Sequence, residues 1–216
     1  MRISVIVEGP SDQAALTALL GPLIHQKAAE GVYVHFMTAR SGDRKRHLME
    51  HVPNEAADWL REDHARHMIV IPDLYPLKSG LVSGTPEELV EYIKGNFKKA
   101  LARRGVDDIR LLERFSVFCF KHDLEVLVLA AREQLAEQLE ASGFKLEWND
   151  TVEDQNHNRP PKRVVMELFE AHGRKYRETR DAARILDGAD YRTIAERCPQ
   201  CFKPFVDFLT SLRPAP

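Results

Sequence analysis

Ile3-Ser4-Val5-Ile6-Val7-Glu8-Gly9-Pro10-Ser11-Asp12 is the stretch of this chain that decides its fold class. Residues 3–7 are mostly apolar and β-branched, which predicts a buried strand that ends on the carboxylate of Glu8. The glycine, proline, serine and aspartate that follow indicate the start of a helix. This arrangement places an acid at the carboxyl edge of a parallel sheet, the edge where open α/β sheets bind their ligands.

A second apolar run ends in the same way. Met68-Ile69-Val70-Ile71 predicts another buried strand, and Pro72-Asp73 follows it directly. We therefore expect Glu8 and Asp73 to lie at one edge of the sheet. Clustered carboxylates repel each other, and Mg²⁺ or Mn²⁺, hard cations that take oxygen ligands, would relieve that repulsion. The sequence thus predicts a divalent-metal site at this edge.

Two of the nearby acids also have an ordinary structural interpretation. Asp12 follows Glu8 closely and would reach a shared cation, but aspartate is also a common helix N-cap. Asp73 precedes a proline-containing loop, where aspartate is a common turn residue. Both interpretations of each residue stay open at this stage.

The composition fits one enzyme-sized domain. The chain has 216 residues, of which 44% are hydrophobic and 30% charged, so it can bury a substantial core. Its formal net charge of -2 gives no global attraction to nucleic acid, so polyanion binding needs a local basic face. The N-terminal apolar run is too short for a signal peptide or a membrane span, and three cysteines are too few for a disulfide scaffold. We expect a cytoplasmic protein with no membrane partner.

Strands alternate with helical patterns along the chain, which favours a parallel sheet built from βαβ units. The predicted strands are residues 2–8, 32–37, 68–71 and 114–120. The predicted helices are residues 11–29, a segment that ends near 61, and 86–104, 124–142 and 162–172. Loops are predicted at 40–43, 76–86 and 149–161. We expect one domain over 1–216, with an α/β core over about 1–130 and a C-terminal helical extension over about 131–216.

Several motifs, taken in order, resemble known families. The segment Val7-Glu8-Gly9-Pro10-Ser11-Asp12 and the later Asp73-Leu74-Tyr75 look like a Toprim fold. Three further segments resemble a bacterial family catalogued as domain of unknown function 4276: Lys121 to Val128, Asn158 to Val164, and the tail from Ile194 to Pro199. The resemblance covers essentially the whole chain. It implies a Toprim-like, Rossmann-like parallel sheet flanked by helices.

The resemblance also implies a function and a set of site residues. It points to a relative of the Toprim nucleases, including the overcoming-lysogenization-defect class that works with ATPases in phage defence. Glu8 matches the general Toprim glutamate, Asp12 the second acid of that motif, and Asp73 the first acid of the Toprim Asp-x-Asp. Tyr75 stands where the second Asp would be, so the chain lacks one ligand of the full two-metal site.

The same resemblance implies roles for two further residues. Glu125 comes after the fourth predicted strand and is the candidate replacement acid, and Lys162 matches a lysine downstream of that acid. The chain departs from the family at Asp123, where Glu is usual, and at Pro161, which replaces a Ser. The resemblance therefore implies Glu8, Asp12, Asp73 and Glu125 as metal ligands.

Cationic residues would complete a phosphodiester-cleaving site. Lys162 and Arg163 suit the charge that develops on phosphate oxygens, although an ordinary solvated pair explains them almost as well. His122 would orient a carboxylate or carry a proton, or it simply begins a helix. The basic patch is Arg40, Arg44, Lys45 and Arg46, and with Arg163 it supplies the predicted nucleic-acid contacts. A later basic run, 174–184, with Tyr176 among its basic residues, suits a phosphate-binding track with base stacking. Glu178 and Asp181 dilute this run, so a solvated helix face explains it at least as well.

The function predicted from these residues is Mg²⁺- or Mn²⁺-dependent cleavage of DNA or RNA, in phage defence or DNA maintenance. The predicted catalytic residues are Glu8, Asp73, Glu125, Lys162 and His122. An AAA or ABC-type ATPase encoded nearby is the expected protein partner, and a homodimer is a further candidate assembly. Two alternatives stay open: a non-catalytic Toprim-like subunit that binds an ATPase, and a metal-dependent phosphotransferase or primase-like enzyme.

Overall fold

A computed structural model describes residues 1–40, 42–75, 84–144, 146–149, 151–155 and 158–214. The chain divides into two compact units. The first unit contains residues 1–9, 23–120 and 210–216, and the second contains residues 10–22 and 121–209. The predicted loop at 76–86 falls mostly on residues 76–83, which lie outside the described residues.

A four-stranded parallel sheet forms the centre of the first unit, with the strand order β2-β1-β3-β4. The strands are β1 (Arg2–Val7), β2 (Tyr33–Thr38), β3 (Arg66–Ile71) and β4 (Phe115–Val117). β1 is an inner strand, and its Val7 aligns with Thr38 of β2 on one side and with Ile71 of β3 on the other. β1 and β3 therefore end level with each other, and both lead into the acids expected at the sheet edge.

The helices of the first unit cover this sheet. They are most of α2 (Gly21–Ala29), α3 (Arg44–Arg46), a π-helix at His47–His51, α4 (Val52–Glu62), α5 (Pro86–Arg103) and α6 (Ile109–Glu113). The apolar faces of α4 and α5 bury Leu60 and Phe97 in a core with Met68 and Val70 of β3. A capping box begins α5, since Thr85 and Glu88 each accept a hydrogen bond from the other's backbone N–H. The predicted α/β class with a parallel sheet flanked by helices is confirmed.

The second unit is helical. It contains α1 (Pro10–Leu19), α7 (Glu125–Ala130), α8 (Arg132–Leu139), α9 (Pro161–Ala171), α10 (Glu178–Asp187), α11 (Tyr191–Arg197) and most of α12 (Phe202–Ser211). Helix α1 packs along α10, and α7 packs against α9. The buried carboxylate of Glu153 accepts hydrogen bonds from the backbone N–H groups of Gln200 and Cys201, just before α12 begins. The predicted C-terminal helical extension is confirmed.

Several element boundaries differ from those predicted. The single helix expected over 11–29 is broken at Leu20, because Pro22 has no N–H to continue the hydrogen-bond series of α1. The helix expected over 124–142 is interrupted at Ala131 and stops at Glu140, whose φ of 54° lies in the left-handed region. Strand β4 is shorter than the predicted 114–120, and α6 was not predicted. Among the described residues, no helix has the length and apolar character needed to cross a membrane.

Candidate functional site

The carboxyl edge of β1 and β3 brings Glu8 and Asp73 together within the first unit. The backbone N–H of Asp73 donates a hydrogen bond of 3.1 Å to Oε1 of Glu8. Both side chains are partly exposed. The carboxylate of Glu8 and the backbone of Asp73 are therefore in direct contact at this edge of the sheet.

The backbone around Asp73 is held on its other side by Phe120. Phe120 donates its N–H to the carbonyl of Pro72 at 3.1 Å, and Leu74 donates to the carbonyl of Phe120 at 2.6 Å. Asp73 and Phe120 form an isolated parallel bridge. These bonds extend the pairing of the third and fourth strands past Val117, so Asp73 sits on a fixed backbone and not on a loose turn.

The two carboxylates suit a hard divalent cation. Mg²⁺ in proteins commonly takes one or two carboxylates and keeps several waters, so the side chains of Glu8 and Asp73 have the donor chemistry that it prefers. Among the described residues, no group of three or more His, Cys, Asp or Glu side chains is placed to hold a metal ion. Tyr75, which stands where a further acid was expected, instead packs against the hydrophobic core of the first unit.

Lys45 is the buried member of the predicted basic patch. Its side chain is 7% exposed, and Nζ donates a hydrogen bond of 2.7 Å to the carbonyl of Leu74, the residue after Asp73. A buried ammonium is costly unless it is hydrogen-bonded. Lys45 therefore ties the start of α3 to the segment that follows β3.

The three arginines of the basic patch are exposed. Arg40 forms an ion pair with Glu55 at 3.2 Å, and Arg46 forms one with Glu50 at 2.8 Å. Arg44 forms no ion pair with any residue in the described ranges. Within this patch, Arg44 is thus the cation whose charge is least compensated.

The second unit contains a separate cluster of ionisable groups around Glu125 and Lys162. Glu125, the first residue of α7, is fully buried, and its Oε1 accepts a hydrogen bond of 3.0 Å from the hydroxyl of Tyr176. Its Oε2 is buried and has no hydrogen-bond partner among the described residues. Burial raises the pKa of Glu125 to about 8, and the negative charges of Asp123 and Glu178 add to the effect. The arrangement favours a protonated Glu125 at neutral pH.

Asp123 and Lys162 adjoin this buried carboxyl group. Asp123 accepts a hydrogen bond of 3.2 Å from the backbone N–H of Lys162 in the first turn of α9. Burial raises the pKa of Asp123 to about 6, against the opposing charge of Lys162. Burial lowers the pKa of Lys162, but the hydrogen bond from its ammonium to Glu178 and the neighbouring carboxylates outweigh that effect, so its pKa is raised overall.

The remaining predicted site residues also lie in the second unit. His122 is almost fully buried beside Asp123, and Asp12 lies in the first turn of α1. Arg163 is exposed and forms an ion pair with Glu167 at 3.0 Å, one turn along α9. Of the predicted residues, the structure thus pairs Glu8 with Asp73 in the first unit and groups Glu125 with Lys162 in the second.

Sequence analysis missed Tyr176, Glu178 and Ser11 as members of the second cluster. Tyr176 and Glu178 alternate with the exposed Lys175 and Arg177, in a segment that leads into α10. Alternation is the pattern of an extended segment with one face turned inward. This pattern could have indicated that Tyr176 and Glu178 face the interior. Neither interpretation of the run, as a phosphate-binding track or as a solvated helix face, turns Tyr176 and Glu178 inward.

Comparisons with known proteins identify a family for this chain. No curated protein matches the chain. Solved structures that resemble it include the C-terminal region of the Burkholderia pseudomallei OLD protein, at 16% identity and a TM-score of 0.46 over 96% of each chain. The C-terminal region of the Xanthomonas campestris pv. campestris OLD protein is similar at 16% identity and a TM-score of 0.45, over 96% of this chain and 93% of that one. These likenesses are too weak to support a function.

A family model gives the more specific result. The model described as domain of unknown function DUF4276 matches residues 7–210, a range that includes every acid and cation of the two candidate clusters. The chain therefore belongs to the DUF4276 family.

Proposed function

We propose that this protein is a divalent-metal-dependent nuclease that hydrolyses phosphodiester bonds. The observation that supports the proposal most directly is the pair of carboxylates at the carboxyl edge of the sheet, where the Asp73 backbone holds Glu8 at 3.1 Å. Glu8 and Asp73 follow strands β1 and β3, which pair in parallel and end level. Such an edge is the usual ligand site of an open α/β sheet.

Glu8 and Asp73 would hold one Mg²⁺ or Mn²⁺ ion. When bound, such an ion lowers the pKa of a water molecule and neutralises the charge of the scissile phosphate. In the proposal, the two carboxylates act as ligands, and the backbone bonds of Asp73 to Glu8 and Phe120 keep them in place. Asp12 and Glu125 are proposed as further ligands on the family resemblance alone.

Lys162 is the proposed cation of the reaction. Lys162 would stabilise the negative charge that develops on the phosphate oxygens in the transition state. Arg163 next to it would contact the nucleic-acid backbone, together with Arg40, Arg44 and Arg46 of the first unit. His122 is proposed to orient a carboxylate or to carry a proton.

The biological setting is also part of the proposal. We place the activity in the cytoplasm, in phage defence or DNA maintenance, with an ATPase of the AAA or ABC type as partner. DNA and RNA are both candidate substrates, since the argument so far concerns phosphates and not bases.

Degradation of plasmid DNA and of RNA in Mg²⁺ and in Mn²⁺ tests the proposed activity. The purified chain is assayed alone and with an ATPase encoded beside it, and we expect metal-dependent cleavage that EDTA abolishes. Glu8→Gln removes a metal ligand and is expected to abolish cleavage. The matched control is Glu91→Gln, which neutralises an exposed glutamate on α5 and should cleave like the wild type.

A non-catalytic subunit that binds an ATPase is the second candidate function. Tyr75 favours it, because an aromatic side chain packed on the core occupies the position where the resemblance expects an acid. If the wild-type chain cuts neither substrate in either metal with its partner present, and pull-down with that ATPase succeeds, this second function replaces the first.

A further inference from the structure

We propose that Glu178 is a positioning residue that fixes the ammonium of Lys162, and that Ser11 holds Glu178 in place. This inference rests on the proposed function for its catalytic meaning, since Lys162 is assigned to the phosphate there. Its structural part concerns only residues of the second unit. In the sequence, Glu178 is noticeable only as an acidic residue that interrupts a basic run.

The contact between Lys162 and Glu178 joins two helix starts. Lys162 lies in the first turn of α9, and Glu178 is the first residue of α10. The ammonium of Lys162 donates a hydrogen bond to Oε2 of Glu178, and the two groups form an ion pair. A lysine ammonium sits on a flexible four-carbon stem, so a fixed acceptor decides where its charge sits.

Ser11 occupies the other oxygen of the same carboxylate. Its buried hydroxyl donates a hydrogen bond of 2.9 Å to Oε1 of Glu178. Ser11 belongs to α1, which packs along α10, so this bond connects two helices that already touch. With one oxygen held by Ser11, the other is aimed at Lys162, and the carboxylate cannot rotate without losing both bonds.

The ion pair leaves the ammonium available to a substrate. The side chain of Lys162 is 40% exposed, and that of Glu178 is 34% exposed. An ammonium has three N–H donors, and Glu178 engages one of them through Oε2. Glu178 therefore anchors the charge of Lys162 and leaves it donors for a phosphate oxygen.

The nearby carboxyl groups are poor substitutes for Glu178. Glu125 accepts a hydrogen bond from Tyr176 instead, and Asp123 accepts one from the backbone N–H of Lys162. In the described part of the chain, the acceptor of the Lys162 ammonium is Glu178 and neither of these two groups. Losing the Glu178 carboxylate thus leaves the ammonium without its anchoring acceptor.

Chemical reactivity of Lys162 tests the structural part without any assay of cleavage. Trace acylation of the folded protein at fixed pH, followed by peptide mass spectrometry, measures the fraction of each lysine that is neutral. In Glu178→Gln the ion pair is lost, so Lys162 should react faster, by about tenfold for each unit by which its pKa falls. Lys203, with a side chain 46% exposed, is the reference lysine in the same unit and should not change.

Two further variants separate positioning from folding. Glu178→Asp keeps the charge and is expected to restore most of the low reactivity of Lys162. Ser11→Ala removes only the second bond of the carboxylate, and it should raise the reactivity by less than Glu178→Gln does. Circular dichroism confirms that each variant is folded before its lysines are compared.

Steady-state kinetics of nucleic-acid cleavage test the effect of Glu178 on catalysis. We expect Glu178→Gln to lower kcat by about 10- to 100-fold, by analogy with the loss when a residue that orients a metal ligand is removed, with KM nearly unchanged. Unchanged reactivity of Lys162 in folded Glu178→Gln overturns the inference. If the wild type cuts nothing, the proposed function fails, and the acylation result alone then decides whether Glu178 positions Lys162.

Discussion

The backbone N–H of Asp73 donates a hydrogen bond to the side-chain carboxylate of Glu8 at 3.1 Å. This bond joins residues that are 65 positions apart in the chain, at the ends of two parallel strands. It shows that the edge holds Glu8 through backbone geometry and not only through side-chain packing. The substitution Glu8→Gln keeps the shape of the side chain and removes its charge, so this variant reports on charge.

Metal binding is the first prediction. Mg²⁺ or Mn²⁺ at ten times its Kd should stabilise the wild type by about 1.4 kcal/mol, because the ion binds the folded chain and not the unfolded one. For a chain of this length, that corresponds to a rise in Tm of about 3–6 °C. Differential scanning calorimetry with and without metal measures the shift.

The control for this measurement uses two kinds of variant. The double variant Glu8→Gln with Asp73→Asn should show no shift, while Glu91→Gln should respond like the wild type. An equal shift in the double variant would place the metal elsewhere, and the absence of a shift in the wild type would remove the metal site.

A pH dependence of stability is the second prediction, and it concerns Glu125. Burial raises its folded-state pKa from 4.5 to about 8, so between those values the folded chain keeps a proton that the unfolded chain has lost. Stability therefore falls as the pH rises through this window. Glu125→Gln cannot titrate, and its stability relative to the wild type should increase from pH 4.5 to pH 8 and stay constant above.

Urea unfolding in EDTA at several pH values measures this difference. Glu133→Gln is the matched control, because the hydrogen bond to Arg197 lowers the pKa of Glu133 to about 2, and its titration lies below the window. A constant difference between Glu125→Gln and the wild type across the window from 4.5 to about 8 would mean that Glu125 is ionised throughout.

Local sequence patterns were enough to find the sheet and its acids. Each inner strand is a short, mostly β-branched run that is followed by a carboxylate. The residues that flank Glu8 and Asp73 were therefore enough to predict that both acids lie at the edge of the sheet. The break of the first predicted helix at Leu20 was also readable, since Pro22 follows it closely. These features depend on neighbours within a few positions.

The second cluster depends on contacts that no local pattern contains. Ser11 and Glu178 are 167 positions apart, and Lys162 and Glu178 are 16 apart on two different helices. Lys45 has the sequence context of a surface lysine, yet tertiary packing buries it on the carbonyl of Leu74. Pairings of this kind follow from how helices pack, and a single sequence does not encode them at any fixed spacing.

Loss of the Lys162 charge is the third prediction. Lys162→Ala should lower the cleavage rate by a factor on the order of 10²–10³, the usual cost of removing one donor to transition-state charge. Its metal-induced rise in Tm should persist, because an ammonium is not a metal ligand. Rates in Mg²⁺ and calorimetry of the same preparation measure both effects.

The comparison variant is Lys203→Ala, which removes a lysine of similar exposure from α12. It should cleave at the wild-type rate. If Lys162→Ala also cleaves at that rate, the assignment of Lys162 to the phosphate is wrong. This holds whether or not the metal-induced rise in Tm persists in the variant.

The fourth prediction separates two roles within the predicted basic patch. Arg44 is exposed and has no ion-pair partner in the described ranges, so Arg44→Ala should weaken DNA binding at low salt. It should also reduce the slope of log K against log salt by about 0.9, the value for one lost phosphate contact on duplex DNA. Fluorescence anisotropy across a salt series gives both quantities, and Lys98→Ala on α5 is the control for an exposed cation elsewhere.

Lys45 should behave in the opposite way. Lys45→Met leaves the carbonyl of Leu74 without its buried donor, which should lower the free energy of unfolding by about 1–3 kcal/mol. The salt slope of the folded variant should stay that of the wild type, because its ammonium is turned to the protein and not to the solvent. Lys98→Met, an exposed lysine with the same substitution, should leave stability nearly unchanged. A reduced salt slope with unchanged stability in Lys45→Met would show that Lys45 contacts the phosphate backbone after all.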